Sequence, residues 1–285
     1  MNVDVLSALV RALSFIALFQ AAGVAIAIAL FGARLERSKE RIRQVGWVSA
    51  IAGLVLVAVH YALEAARMSG SLDGVFDMSL QQMVLDSPMS VAVALRIGGL
   101  ALVAFAVRRD SAGAALVGVL GALCITLAFT FVGHTADASR TTWLKVLLVL
   151  HLAVVAFWFG GLAPLHIAAG RESAERAAQI VAAFSRVATL IVPGLFLFGL
   201  LMTVLLVDRW EVFGEGYGVL LLAKAAGFAV LMALAGLNKW RYGPAIAQAG
   251  AGVASFQRTV AVEYVVICAV LAATAVMTTF FSPAH

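Results

Sequence analysis

Apolar residues are gathered along this chain into eight long blocks separated by short polar breaks. The blocks are Ser7 to Phe31, Val45 to Ala66, Met89 to Val107, Gly113 to Val132, Leu144 to Ala169, Phe184 to Val207, Gly218 to Leu237 and Val260 to Phe280. Each is close to or above the roughly 20 residues that an α-helix needs to cross the hydrocarbon core of a bilayer. The pattern predicts an all-α fold, a polytopic integral membrane bundle of about eight transmembrane helices, forming one domain over residues 1–285. No soluble domain, low-complexity linker or clear repeat interrupts it.

The polar breaks alternate in charge. Arg34, Arg37, Lys39, Arg41 and Arg43 follow the first block, Arg108 and Arg109 the third, Arg171 and Arg176 the fifth, and Lys239 and Arg241 the seventh. The break after the second block carries Asp73, Asp77 and Asp86 and has no Lys or Arg beyond Arg67, and the one after the sixth carries Asp208, Glu211 and Glu215. Basic loops stay on the cytoplasmic side, so both termini are expected to be periplasmic. The composition agrees with a membrane class: 63% hydrophobic and 12% charged, with a mean hydropathy of +1.03, against about 25% charged in a soluble globule. The net charge of +5 is accounted for by loops beside spans and implies no nucleic acid. The first block has no basic residue before Arg11 and ends in charge rather than in a small-residue cleavage site, so it reads as a retained helix of a mature chain. Cys124 and Cys268 fall inside apolar blocks, where they serve as small core residues rather than as a disulfide framework.

Within this frame the stretch from His134 to Pro164 holds the most chemistry. An imidazole at His151 lies inside an apolar block, and a polar group at that depth is a site candidate by default. Gly160 and Gly161 allow a neighbouring backbone to come close, and Pro164 is placed to bend the last turns. The topology puts His60, Glu64, His134 and His151 in one layer near the periplasmic surface, with His60 and Glu64 on one helix face by their spacing of four. His166 belongs near the inner end, and His285 ends the chain. Three histidines in one layer point to a metal or a cofactor, the alternative for each being a hydrogen bond between helices. Met68, Met78, Met83 and Met89 lie in or beside the acidic loop. Thioethers suit Cu(I) and imidazoles suit copper in either state, so the candidate metal ligands are His60, His134 and His151, with Glu64, Met78 and Met83 as further candidates. Arg96 and Lys224 are cations within apolar blocks; Glu64 is the expected partner for them, and Lys224 is long enough to reach the headgroups. Two cations repel a copper ion unless compensated, whereas they pair readily with haem propionates. No G-x-x-x-x-G-K-[ST] motif is present.

A further ordered series begins at Gly133-His134. It continues with Leu150-His151, Trp158-Phe159-Gly160-Gly161-Leu162 and Pro164-Leu165, then Ala183-Phe184-Ser185-Arg186, Tyr217-Gly218 with Leu222 and Lys224, Leu237-Asn238 with Pro244, and Glu263 before Ser282-Pro283. This series resembles the copper resistance protein D (CopD) family of bacterial inner-membrane proteins. It covers residues 133–285, helices five to eight; residues 1–132, helices one to four, carry no comparable series. The resemblance implies a copper-handling protein of the bacterial inner membrane that moves copper across it beside a periplasmic copper-binding partner of the CopC type. No catalytic residue is assigned, and no enzyme activity is expected unless haem is bound and supplies redox activity. Two other readings stay open: a membrane redox protein holding haem b through His60, His134, His151 or His166, and an assembly partner in the bilayer for a periplasmic copper chaperone.

Overall fold

The computed structural model describes residues 2–133, 142–206, 214, 216–248 and 252–281. Ten α-helices are described: α1 Val3–Phe31, α2 Lys39–Ser69, α3 Met78–Leu85, α4 Met89–Ala106, α5 Ala112–Leu127, α6 Thr142–Arg171, α7 Ala174–Leu206, α8 Gly216–Leu237, α9 Gly243–Ala247 and α10 Val253–Phe280. Eight helical segments are long and apolar enough to span a membrane, one for each block of the sequence. The main departure is at the ends with basic loops, where α2 and α7 begin well before the apolar runs they contain. A helix once nucleated propagates through polar residues, so hydropathy locates the lipid-facing length and not the first turn. The acidic loop also holds more structure than expected. Asp77 caps α3, its side chain accepting the backbone N–H groups of Ser79 and Leu80, and the Tyr61 hydroxyl ties α2 to the Gln81 carbonyl at 3.3 Å.

The bundle is organised around α1, which packs against α2, α4, α5, α6 and α10. Its face is made of small residues: Ala21, Ala22, Ala25 and Gly23 are buried. At Gly23 the helix meets Gly160 of α6 so closely that a Cβ on Gly160 would stand 2.5 Å from the Gly23 Cα and 2.6 Å from the Phe19 carbonyl oxygen. The close approach expected of the glycine pair is therefore real, and it is divided: Gly160 takes α1, while a Cβ on Gly161 would lie 2.6 Å from the Phe184 ring of α7. The Gln20 amide fixes the crossing by donating to the Gly160 carbonyl at 3.0 Å. Close backbone contact gains dispersion that large side chains would prevent, the usual means by which helices associate in lipid. Pro164 lies inside α6, whose helix continues to Arg171. Helices α7 and α8 are peripheral, packing on α6 and α10 respectively.

Ion pairs and a buried carboxylate hold the basic-loop end. Glu172 accepts the backbone N–H groups of Glu36, Arg37 and Ser38 at 2.9, 3.0 and 2.9 Å, joining the α6–α7 turn to the α1–α2 connection. Lys39 and Arg43 of α2 pair with Asp110 in the α4–α5 turn. The hydrogen bond from the Lys39 ammonium holds the exposed Asp110 carboxyl below the usual carboxylate range.

Candidate functional site

At the opposite end, beside the acidic loop, α1, α2 and α10 share a charged cluster. Arg11 donates through Nε to His60 Nε2 at 3.1 Å and through Nη2 to Glu64 Oε1 at 3.1 Å. Its Nη1 reaches the Thr278 carbonyl at 3.0 Å. Arg67 donates to Glu64 Oε2 at 3.2 Å and to Asp4 Oδ1 at 3.1 Å. A guanidinium has only donors, so the hydrogen bond from Arg11 requires the lone pair of His60 on Nε2. His60 is 5% exposed, and a metal ion could take that nitrogen only after Arg11 had left it.

Glu64 is paired, as its depth required, but its partners are Arg11 and Arg67 rather than the expected Arg96 and Lys224. The Arg96 guanidinium is instead drawn onto an aromatic ring, lying 4.8 Å from the centroid of Phe129, which stacks on Phe19 of α1. Its buried Nε has no hydrogen-bond partner among the described residues. Three guanidiniums thus face two carboxylates, Glu64 and Asp4, and the cluster favours an approaching anion over a cation. Reasoning from the sequence missed Arg11, although a signal was there. Ser7 and Ser14 lie a helical turn to either side of it and are both buried, marking one polar face on an otherwise apolar helix.

His151 occupies a different place. Its Nδ1 lies 3.2 Å from the Leu195 carbonyl of α7, and its ring sits over Gly199, where a Cβ would be 3.6 Å away. A carbonyl only accepts, so Nδ1 carries the proton and Nε2 keeps its lone pair, with no hydrogen-bond partner among the described residues. His151 precedes Gly160 by roughly 13 Å and Arg11 precedes Gly23 by roughly 18 Å along their helices. Since Gly23 and Gly160 touch, His60 and His151 sit at comparable depth, as the topology implied, but against different helices. His134 lies outside the described residues. Among those described, no group of three His, Cys, Asp or Glu residues is placed to hold a metal ion. His166 mirrors His151, with its Nδ1 3.2 Å from the Gln257 carbonyl and its own carbonyl accepting from Gln257 Nε2 at 2.9 Å.

The methionine candidates are on the surface. Met78 is 79% and Met83 58% exposed. Five residues apart on α3, they point about 140° from one another around the helix and form no chelating pair. Lys224 of α8 is half-buried, and its ammonium stands close enough to the His151 ring for its charge to act there.

Eight apolar spans, seven of them arranged about the small-residue helix α1, with imidazoles set near one end, define a multi-pass α-helical membrane protein. The family model described as Copper resistance protein D-like, N-terminal domain, matches residues 1–144, and that described as Copper resistance protein D matches residues 178–277. Copper resistance protein D of Pseudomonas syringae pv. tomato is 30% identical over 244 residues, which are 78% of this chain and 78% of that protein. No solved structure matches the chain. The chain belongs to the copper resistance protein D family and is a copper resistance membrane protein. The likeness seen in residues 133–285 extends through the first half, where the residues alone carried no comparable series.

Proposed function

We propose that this protein binds copper near the periplasmic face of the bacterial inner membrane and moves it across. The observation that supports this most is His151, an imidazole set in an apolar span with Nδ1–H fixed on a carbonyl and Nε2 without a partner among the described residues. Such an outer hydrogen bond sets the tautomer and raises the basicity of the ligating nitrogen. His134, which follows the fourth apolar block in the sequence, is the natural second ligand, and His60 joins once Arg11 swings away. Exposed Met78 and Met83 beside Asp73 and Asp86 give copper a first contact with soft and acidic groups, at the surface where a periplasmic donor of the CopC type would dock. With no nucleotide-binding motif in the sequence, movement is driven by ion gradients, the membrane potential or a partner.

One observation favours a second reading, in which the protein holds haem b. His151 and His166 both keep Nδ1 on a carbonyl and have no partner for Nε2 among the described residues, as an axial ligand requires, roughly 22 Å apart along α6. The Arg11, Arg67 and Arg96 cluster suits propionates, and haem would supply one-electron chemistry. The protein purified from copper-replete membranes decides between them by absorption spectrum and elemental analysis. Copper without a Soret band is expected; a Soret band with little copper would overturn the copper reading in favour of haem.

The orientation, with both termini and α3 periplasmic, rests on the basic loops. In a variant lacking Cys124 and Cys268, an impermeant thiol reagent should label Ser71→Cys in intact spheroplasts and spare Arg41→Cys, both positions being exposed. The reverse pattern would invert the topology.

A further inference from the structure

Glu263 of α10 is 2% exposed. It sits at mid-bundle, next to Tyr264, whose ring stacks on Phe159 of α6 at 4.7 Å, one residue from the Gly23–Gly160 crossing. Its Oε1 accepts from Asn238 Nδ2 at 2.6 Å, and the Asn238 Oδ1 accepts in turn from the Thr259 hydroxyl. Asn238 opens a π-helical turn, residues 238–242, at the end of α8; such wide turns often mark functional sites. The carboxyl also lines a cavity of about 210 Å³ bounded by Trp158, Met232, Asn238 and Lys239, room for several waters at about 30 Å³ each.

The groups around it leave its charge unbalanced. On α6, Trp158 is neutral and His166 is held by Gln257. On α7, Ser185 and Thr189 are neutral, and Arg186 lines an adjoining cavity. From the turn after α8, Lys239 faces the cavity but donates to Thr189 Oγ1 at 2.8 Å. On α10, Tyr264 and Cys268 follow Glu263 in sequence, and Arg258 lies toward the basic loops. On α1, Gln20 is spent on Gly160, and Arg11 belongs to the opposite end. No cation among the described residues lies within ion-pair distance of Glu263. A carboxylate withdrawn from water with only neutral donors is far costlier than its acid.

We propose that Glu263 is a proton-binding site, reached by water through this cavity from the basic-loop end, which loads and releases a proton as the bundle moves its cation. Only an O–H bond forms and breaks, with water as donor and acceptor. The link to copper comes from α6. His151 and Trp158 are seven residues apart, two turns and roughly 10 Å on one face, which continues through Leu162 and Leu165 along the cavity wall. The cavity that holds the proton site thus begins about two turns below His151 along α6. The link rests on the copper-moving reading; the proton site does not.

Glu263→Gln keeps an acceptor for Asn238 and tests both. Infrared spectra of the purified protein should show a protonated-carboxyl C=O band in the native chain that is missing in the variant. Identical spectra in that region would remove the proton site. In proteoliposomes, reversing an imposed pH gradient should change native copper flux severalfold and leave Glu263→Gln flux unchanged. A full response in the variant would remove the coupling. Native protein that moves no copper under either gradient would defeat the copper reading, while the carbonyl band still decides the proton site.

Discussion

Glu64→Gln is expected to lower the thermal midpoint of the detergent-solubilised protein by several degrees and to reduce its monodisperse yield. The substitution removes the carboxylate that Arg11 and Arg67 share and leaves both guanidiniums beside a buried imidazole. Removing one partner of a fully buried ion pair costs about 3–5 kcal/mol. Here the side chains of Arg11 and Glu64 keep 15% and 21% of their exposure, so about 2–3 kcal/mol is the better expectation. Glu40, exposed near the start of α2, supplies the control, and Glu40→Gln should leave the midpoint where it is. The double variant Arg11→Gln with Glu64→Gln should regain part of the loss, because two neutral groups leave less uncompensated charge than one stranded guanidinium. Equal midpoints for Glu64→Gln and Glu40→Gln would mean that the cluster is screened by headgroups and holds nothing together.

The Arg11 cluster also shows where sequence reasoning stops. Each span was legible because twenty apolar residues in a row have little other use, and the spacing of His60 and Glu64 placed both on one face of α2. The partner of Glu64 was not legible, because Arg11 and Arg96 are both cations in apolar helices and only the packing of α1 on α2 chooses between them. Hydropathy likewise gave no reason to place α1 at the centre. All eight blocks are apolar, and what distinguishes α1 is residue size, with Ala21, Ala22, Gly23 and Ala25 making room for Gly160. The glycine pair was visible, its two partners were not. Capping explains α3: Asp77, exposed in the acidic loop, also starts a helix with its side chain.

His151→Ala is expected to abolish bound copper, weakening it by about 100-fold or more, since loss of even an outer-shell partner costs 10–100-fold at a metal site. The protein should remain inserted and monodisperse. What the imidazole gives to packing is one hydrogen bond to the Leu195 carbonyl at 3.2 Å, and such contacts between membrane helices are worth on average about 0.6 kcal/mol. Copper content and stability therefore separate the two roles of this residue: a ligand loses metal and keeps its fold, a mere helix contact loses a little stability and keeps its metal. His166→Ala supplies the comparison. It removes a matching bond to Gln257 near the other end of α6, so it should leave copper at His151 in place. Under the haem reading both substitutions should instead remove Soret intensity. A His151→Ala protein that retains full copper and full haem would show that its free nitrogen binds neither, and the proposed site would have to be given up.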